Sequence, residues 1–299
     1  MDKGACALQV SGHAFEQESG MFQDKHWWIT GASSGIGAAL AVALSKQGAR
    51  LILSGRKVSA LNEVAAQCGG DPVILPFEAT DYASIPSIVN EAWNRVSAKG
   101  GRIDGLVNNA GISQRSLAVD TVFDVYQKII AVDLLAPIAL TQALLPRMVK
   151  AGGGDIVAIS SVAGLVGVPL RTAYSAAKHG LIGYHDSLRA ETAHQGVRVM
   201  VVAPGSVRTN VSRNALDASG EARGASDAAI DNGPPPELLA ERILEGLRAG
   251  TRELIFAAGM EEELVRLRRH NPDGLFDLMA QLVAGGYAQR MDADKSKGD

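Results

Sequence analysis

The stretch His26-Trp-Trp-Ile-Thr30-Gly31-Ala-Ser-Ser-Gly35-Ile-Gly37 decides how this chain is read. A short β-prone run ends at Thr30, glycines follow in the spacing Gly-x-x-x-Gly-x-Gly, and an Ala/Leu-rich helical run continues to about Gln47. Gly31 allows the tight turn out of the strand, Gly35 lets the backbone come close to a pyrophosphate, and Gly37 lets the helix pack on the sheet. The helix N-terminus then offers N–H groups and a positive dipole end to phosphate. The spacing alone is only moderately specific, but its place between a strand and a helix is what the mechanism demands.

Working outward, Arg50-Leu-Ile-Leu-Ser54 reads as a second strand, ending in Gly55-Arg56-Lys57. In dinucleotide sites an acidic residue after this strand holds the ribose hydroxyls, whereas an arginine suits a 2′-phosphate. Arg56 therefore points to NADP(H) over NAD(H); the alternative is that Arg56 and Lys57 simply open a solvated helix. A helix over 57–68, a strand at Val73-Ile-Leu-Pro76, a helix over 82–98 and a fourth strand at Gly105-Leu-Val-Asn108 continue the alternation. Such alternation implies a parallel α/β sheet with right-handed crossovers, whose ligands bind outside the carboxyl ends of the strands. Asn108-Asn109-Ala110-Gly111 follows the fourth strand, and its small residues suit a close pass over a cofactor, or a plain turn.

A long helical stretch runs from about Thr121 to Lys150, with Pro137 inside it and Pro146 near its end. Pro137 lacks an N–H and is expected to bend this helix, leaving Asp133 beside a freed carbonyl. Asp155-Ile-Val-Ala-Ile-Ser160 reads as a buried strand, Gly196–Ala203 as a sixth and Glu253–Phe256 as the last. The glycine- and proline-containing segment 206–236 reads as a substrate lid, or as disorder. A helix follows from Pro236 to Ala249, and 259–299 is helical in pattern with a flexible end. Residues 1–23 form an expected loose tail, and 24–258 a single domain.

The chemistry is expected in Ser161 to Lys178. If a helix runs through Tyr174, Lys178 lies one turn later on the same face. A phenol is a poor acid at neutral pH, but a cation held beside it favours the phenolate and brings its proton into play. Ser161, at the end of the preceding strand, is placed to steady a substrate oxygen. Taken alone, Tyr-x-x-x-Lys also fits a surface tyrosine and a solvated lysine.

Composition sets bounds. The chain has 299 residues, 46% hydrophobic and 20% charged, with a formal net charge of -3. That gives no field to draw in nucleic acid or an anionic membrane. Cys6 and Cys68 have no ligand-like spacing and the histidines no metal motif, so no metal site is expected. No run of about 18 apolar residues is read as spanning a bilayer and no secretory signal is seen, so a cytoplasmic location is expected.

In this order, Thr30-Gly-Ala-Ser-Ser-Gly-Ile-Gly37, Asn108-Asn-Ala-Gly111, Ser161, Tyr174-x-x-x-Lys178 and Pro204-Gly205 resemble the short-chain dehydrogenase/reductase family, from about residue 24 to 258. Ala-Leu-Leu-Pro146, Val-Ala-Ile-Ser-Ser161 and Ala-Tyr174-x-Ala-x-Lys178-His look like its dehydrogenase/reductase member-seven branch. Relatives there often carry a membrane anchor before the first strand, and none is read here. The resemblance implies a Rossmann-type doubly wound sheet of about seven strands with helices on both faces. It also implies hydride transfer between NADP(H) or NAD(H) and a carbonyl or carbinol carbon. Tyr174 is then the general acid/base, Lys178 lowers its pKa and holds the nicotinamide ribose, and Ser161 bonds the substrate oxygen. Ser33, Ser34 and Ile36, with Gly31, Gly35 and Gly37, would form the phosphate loop. Asn108, Ala110, Gly111, Pro204, Gly205, Val207 and Thr209 would line the rest of the cofactor, Thr209 at the carboxamide.

Two positions depart from the family pattern. Asp133 stands where an asparagine is usual; if only its backbone carbonyl is needed, the exchange is harmless, and otherwise the side chain binds Lys178. Glu78, followed by Ala79, stands where an aspartate normally meets adenine. The expected protein is an NADP(H)-preferring carbonyl reductase or alcohol dehydrogenase for a fairly apolar small molecule, pairing as a homodimer or homotetramer. The competing expectation is a catalytically silent NAD(P)-binding sensor or scaffold of the same fold.

Overall fold

The computed structural model describes residues 20–289; expectations for residues 1–19 and 290–299 lie outside the described residues. The strands β1 (His26–Thr30), β2 (Arg50–Ser54), β3 (Val73–Ile74), β4 (Ile103–Asn108), β5 (Gly154–Ile159), β6 (Val197–Pro204) and β7 (Glu253–Phe256) form one sheet. It is parallel throughout, in the order β3-β2-β1-β4-β5-β6-β7. Because β1 lies between β2 and β4, the chain winds outward in one direction and then the other. The crevice between β1 and β4 opens at the carboxyl ends of the strands.

β1 is buried along its whole length, as a strand covered on both faces must be. Trp27 and Ile29 point into one apolar layer with helices α1 (Gly35–Lys46) and α8 (Pro236–Arg248), and Trp28 into the other. That second layer holds α3 (Ile85–Ser97) and α5 (Ala136–Lys150), whereas the short α2 (Val58–Ala65) joins the first. The strand's period of two thus places successive tryptophans on opposite faces. A Cβ at Gly105 would stand 2.4 Å from the Trp27 ring, so only glycine opposite it lets that indole lie flat on the sheet.

Elsewhere the fold departs from expectation in ways that have causes. β3 is only two residues long. The tail is held from Phe22 onward, because that ring is buried against Trp27 and lies under the Arg248 guanidinium. The long helical stretch is interrupted: α4 (Phe123–Ile130) passes into a π turn over Ala131–Leu135 before α5. Pro137 cannot supply the N–H that an α-helical bond to the Asp133 carbonyl requires, and the turn widens just before it. Among the described residues, Phe123–Lys150 is one helical run long and apolar enough, by length and composition, to cross a membrane, with mean hydropathy 1.8. That corrects the reading that no such stretch exists. In this fold the run packs on α3 and on α6 (Thr172–Thr192) and carries a buried carboxylate at Asp133.

Residues 206–235 are irregular apart from the short helix α7 (Ala228–Asp231), and α9 (Met260–His270) and α10 (Pro272–Ala284) follow β7. The last two helices lay Val265 and Leu275 against Val162 and Val166.

His185 on α6 is fully buried; its Nδ1–H donates to the Leu181 carbonyl at 2.8 Å, and Nε2 has no partner among the described residues. Burial pulls its pKa down to about 4. Unfolding restores an ordinary histidine, so the unfolded chain binds more protons between about pH 6.5 and 4 and stability is lost as pH falls through that window. Urea unfolding at pH 7.5 and pH 5 should show a loss of about 2 kcal/mol from this group. In His185→Leu the pH dependence should be smaller by that amount.

Candidate active site

Three loops meet at the crevice, and their first requirement is closeness. Gly31 and Gly35 have φ of +62° and +56°, open to glycine without strain. A Cβ at Gly31 would stand 2.8 Å from Ala110 Cα, and one at Gly37 would stand 2.4 Å from the Gly31 carbonyl oxygen. Gly37 therefore serves the turn itself as well as the helix packing. Ser34 is the N-cap of α1 and makes no side-chain hydrogen bond to the first turn, which leaves that turn to an incoming acceptor. These features fit the pyrophosphate of a dinucleotide.

The neighbouring loop is fastened by Thr30 and Asn109, motif residues whose side chains had no expected role of their own. Thr30 Oγ1 donates to the Val107 carbonyl at 3.1 Å and accepts from the N–H groups of Asn109 and Ala110 at 3.0 and 3.1 Å. Asn109 Nδ2 donates to the Thr30 and Gly31 carbonyls. Asn108 is buried, and its side chain donates to Thr141 Oγ1 on α5 at 2.8 Å, away from the glycine turn that Asn109 supports. Val207 is buried in the layer under α8, and Ile36 packs against the same layer. Thr209 brings its methyl within 3.1 Å of where a Gly35 Cβ would be.

Arg56 and Glu78 sit together at the far end of the crevice, both well exposed, with 4.0 Å between Nη1 and Oε2. Glu78 Oε1 accepts from the N–H and hydroxyl of Thr80, so its carboxylate turns back onto its own loop, beside Ala79. Ser33 stands near Gly55, at the start of the same end.

Lys178 and Tyr174 lie one turn apart on α6, and the Lys178 ammonium is 5.5 Å from the centroid of the Tyr174 ring. Lys178 is buried and donates to the Ile159 carbonyl at the end of β5, at 3.1 Å. Its other neighbour is Asp133 Oδ2, also at 3.1 Å. Oδ2 has no well-directed hydrogen bond, so this contact holds by charge, while Oδ1 accepts from the Ile112 N–H at 2.8 Å. The side chain of Asp133 thus engages Lys178, the second of the two alternatives that the sequence left open at this position. Burial pushes the Asp133 carboxyl above its ordinary range against the pull of Lys178. Burial also opposes the Lys178 charge, but Asp133 and Tyr174 outweigh it and hold the ammonium above its ordinary value. Gly111 makes the pair possible, because a Cβ there would meet Asp133 Oδ2 at 2.9 Å and Lys178 Nζ at 3.4 Å.

Ser161 caps a short turn by accepting from the Ala163 N–H at 3.1 Å, and its hydroxyl donates to the Pro204 carbonyl at 3.3 Å. Its neighbour Ser160 donates to the Lys178 carbonyl at 3.0 Å and so ties α6 to β5. Gln114 Oε1 accepts the Ala173 N–H at the start of α6. Asp227 binds the guanidiniums of Arg115 at 2.6 Å, Arg171 at 3.5 Å and Arg223, joining the loop after β4, the start of α6 and the 206–236 segment. Burial and then Arg171 bring the buried Arg115 down to about 10. Gln114 and Asp227 carry no motif signal, since they act through Ala173 and Arg115, far off in sequence, and Ser160 lies in a motif without a role of its own there.

A family model described as short chain dehydrogenase matches residues 25–219. The chain belongs to the short-chain dehydrogenase family. Within that family it is 39% identical over 260 residues to a Drosophila melanogaster dehydrogenase/reductase SDR family protein 7-like, covering 85% of this chain and 78% of that one. It is 43% identical over 197 residues to human dehydrogenase/reductase SDR family member 7, covering 63% of this chain and 57% of the relative. A short-chain dehydrogenase structure from Streptomyces avermitilis superposes with TM-score 0.71 at 29% identity, over 90% of this chain and 98% of that one. The fold also matches Burkholderia structures solved with NADP (TM-score 0.72, 23% identity, 86% and 98% covered) and with NAD (0.74, 20%, 84% and 95%). As a member of this family the chain is an oxidoreductase.

In Asp133→Asn, Oδ1 still accepts the Ile112 N–H while Lys178 loses its counter-charge. Stripping one partner from a buried pair is costly, so urea unfolding of the variant at pH 7.5 should show a loss on the order of 3 kcal/mol.

Proposed function

We propose that this short-chain dehydrogenase prefers NADP(H) and interconverts a carbonyl and an alcohol on a fairly apolar small molecule, with Tyr174 as general acid and base. The observation that carries the reading is the pairing of a buried ammonium with the Tyr174 ring beside a glycine cradle. The nicotinamide, when bound, supplies or accepts the hydride. Ser161 exchanges its 3.3 Å bond to Pro204 for one to the substrate oxygen. Tyr174 gives its proton to that oxygen in reduction and takes it back in oxidation, while Lys178 stabilises the phenolate left behind. Gly31, Ser33, Ser34, Gly35, Ile36 and Gly37 would cradle the pyrophosphate, and Lys178 would turn toward the nicotinamide ribose. The exposed Arg56 supports NADP(H), since no carboxylate follows β2 directly.

Exposed Val119, Phe123 and Leu135, on and beside α4 and its π turn, support pairing between copies as a homodimer or homotetramer. A monomer by light scattering at micromolar concentration would remove that part.

A second reading, a silent nucleotide-binding sensor, has one observation behind it: the Asp133 carboxylate on Lys178. It requires that Asp133→Asn turn over substrate where the natural chain does not.

The test is a spectrophotometric screen following NADPH and NADH separately across carbonyls and alcohols. On any substrate found, Tyr174→Phe should keep nucleotide binding and lose turnover by about 10²-fold or more; unchanged turnover would refute the acid/base role. Arg56→Ala should raise KM for NADPH by about tenfold, the equivalent of 1.4 kcal/mol, and leave that for NADH nearly unchanged. An equal effect on both would remove the NADP(H) preference.

A further inference from the structure

The loop after β6 touches both halves of the site. At one end the Pro204 carbonyl accepts from Ser161, and at the other Thr209 lies against Gly35 of the glycine cradle. Between them the loop is gripped from outside the region matched by the family model, by Glu261 in the first turn of α9. Glu261 Oε2 accepts the Ser206 N–H at 2.9 Å, and Oε1 accepts the Ser206 hydroxyl at 2.8 Å. A Cβ on residue 205 would stand 1.9 Å from that carboxylate, so Gly205 and Glu261 fit as hollow and filling.

An ordinary account exists for acidic residues here, because the first turn of a helix favours negative charge. Glu261, Glu262 and Glu263 all stand in that turn. Glu263 pairs with Arg266 on its own helix, as a surface residue does. Glu261 instead reaches across to two donors of one residue, and such charge-assisted bonds are the strong and directional ones. The helices behind it are docked too: Val265 and Leu275 pack on Val162 and Val166, immediately after Ser161.

We propose that Glu261 is a positioning residue, fastening the C-terminal helices to the Pro204–Thr209 loop so that the nicotinamide half of the coenzyme meets a preformed wall. The inference rests on the reading of the crevice as a dinucleotide site. Because the adenosine end near Arg56 and Glu78 lies away from this clamp, its loss should be felt by one half of the nucleotide only.

The experiment is equilibrium binding to the full chain, without turnover, using NADPH and adenosine 2′,5′-bisphosphate as probes and NADH as a control. Natural protein, Glu261→Gln, Glu261→Ala, Ser206→Ala and the Glu261→Ala/Ser206→Ala pair are compared. Expected is about tenfold weaker NADPH binding in Glu261→Ala, a smaller loss in Glu261→Gln, and unchanged affinity for the bisphosphate. The double variant should be no weaker than Glu261→Ala, since both changes break one clamp. Unchanged NADPH affinity, or an equal loss for both probes in the conservative Glu261→Gln, overturns the proposal. Failure of the natural protein to bind NADPH, the bisphosphate and NADH alike overturns the dinucleotide reading beneath it.

Discussion

A lysine ammonium taken out of water at the end of β5 is the constraint from which the rest of this site follows. Burying a charge is costly unless it is paired and hydrogen-bonded, and Lys178 meets both conditions, through Asp133 and the Ile159 carbonyl. Each partner fixes an element. Asp133 draws in the π turn between α4 and α5, Ile159 draws in β5, and Ser160 reaches back from β5 to the Lys178 carbonyl. Gly111 leaves the space in which the two charges meet. With α6 held in this way, the Tyr174 ring has its position relative to the crevice.

The same crevice exists because the sheet reverses its direction of winding beside β1. Thr30 and Asn109 convert that topology into contact, tying the turn after β1 to the turn after β4 at distances only glycine allows. The loop after β6 closes the third side. It is held by Ser161 from within and by Glu261 from the C-terminal helices. The 206–236 segment is anchored by Asp227, whose carboxyl burial alone would raise and which Arg115 and its companions hold below the ordinary range. Irregular backbone here is therefore compatible with a fixed position, since its polar groups are met by side chains from other loops.

What was legible in the sequence was whatever repeats with a period or depends on one residue's intrinsic geometry. The alternation of apolar strands and helices implied the parallel sheet. The glycines after β1 stated where the backbone must turn and approach, and the four-residue spacing of Tyr174 and Lys178 placed them on one helix face. Even the break before Pro137 was readable, because a missing N–H is a property of the residue. Tertiary structure alone decided that the Asp133 side chain, rather than only its backbone, engages Lys178. It also decided that Asn109 supports the glycine turn while Asn108 faces α5, and that Glu261 grips a loop more than fifty residues earlier. These are pairings between groups distant along the chain, and nothing local distinguishes a carboxylate that reaches a buried ammonium or a backbone amide from one that faces water.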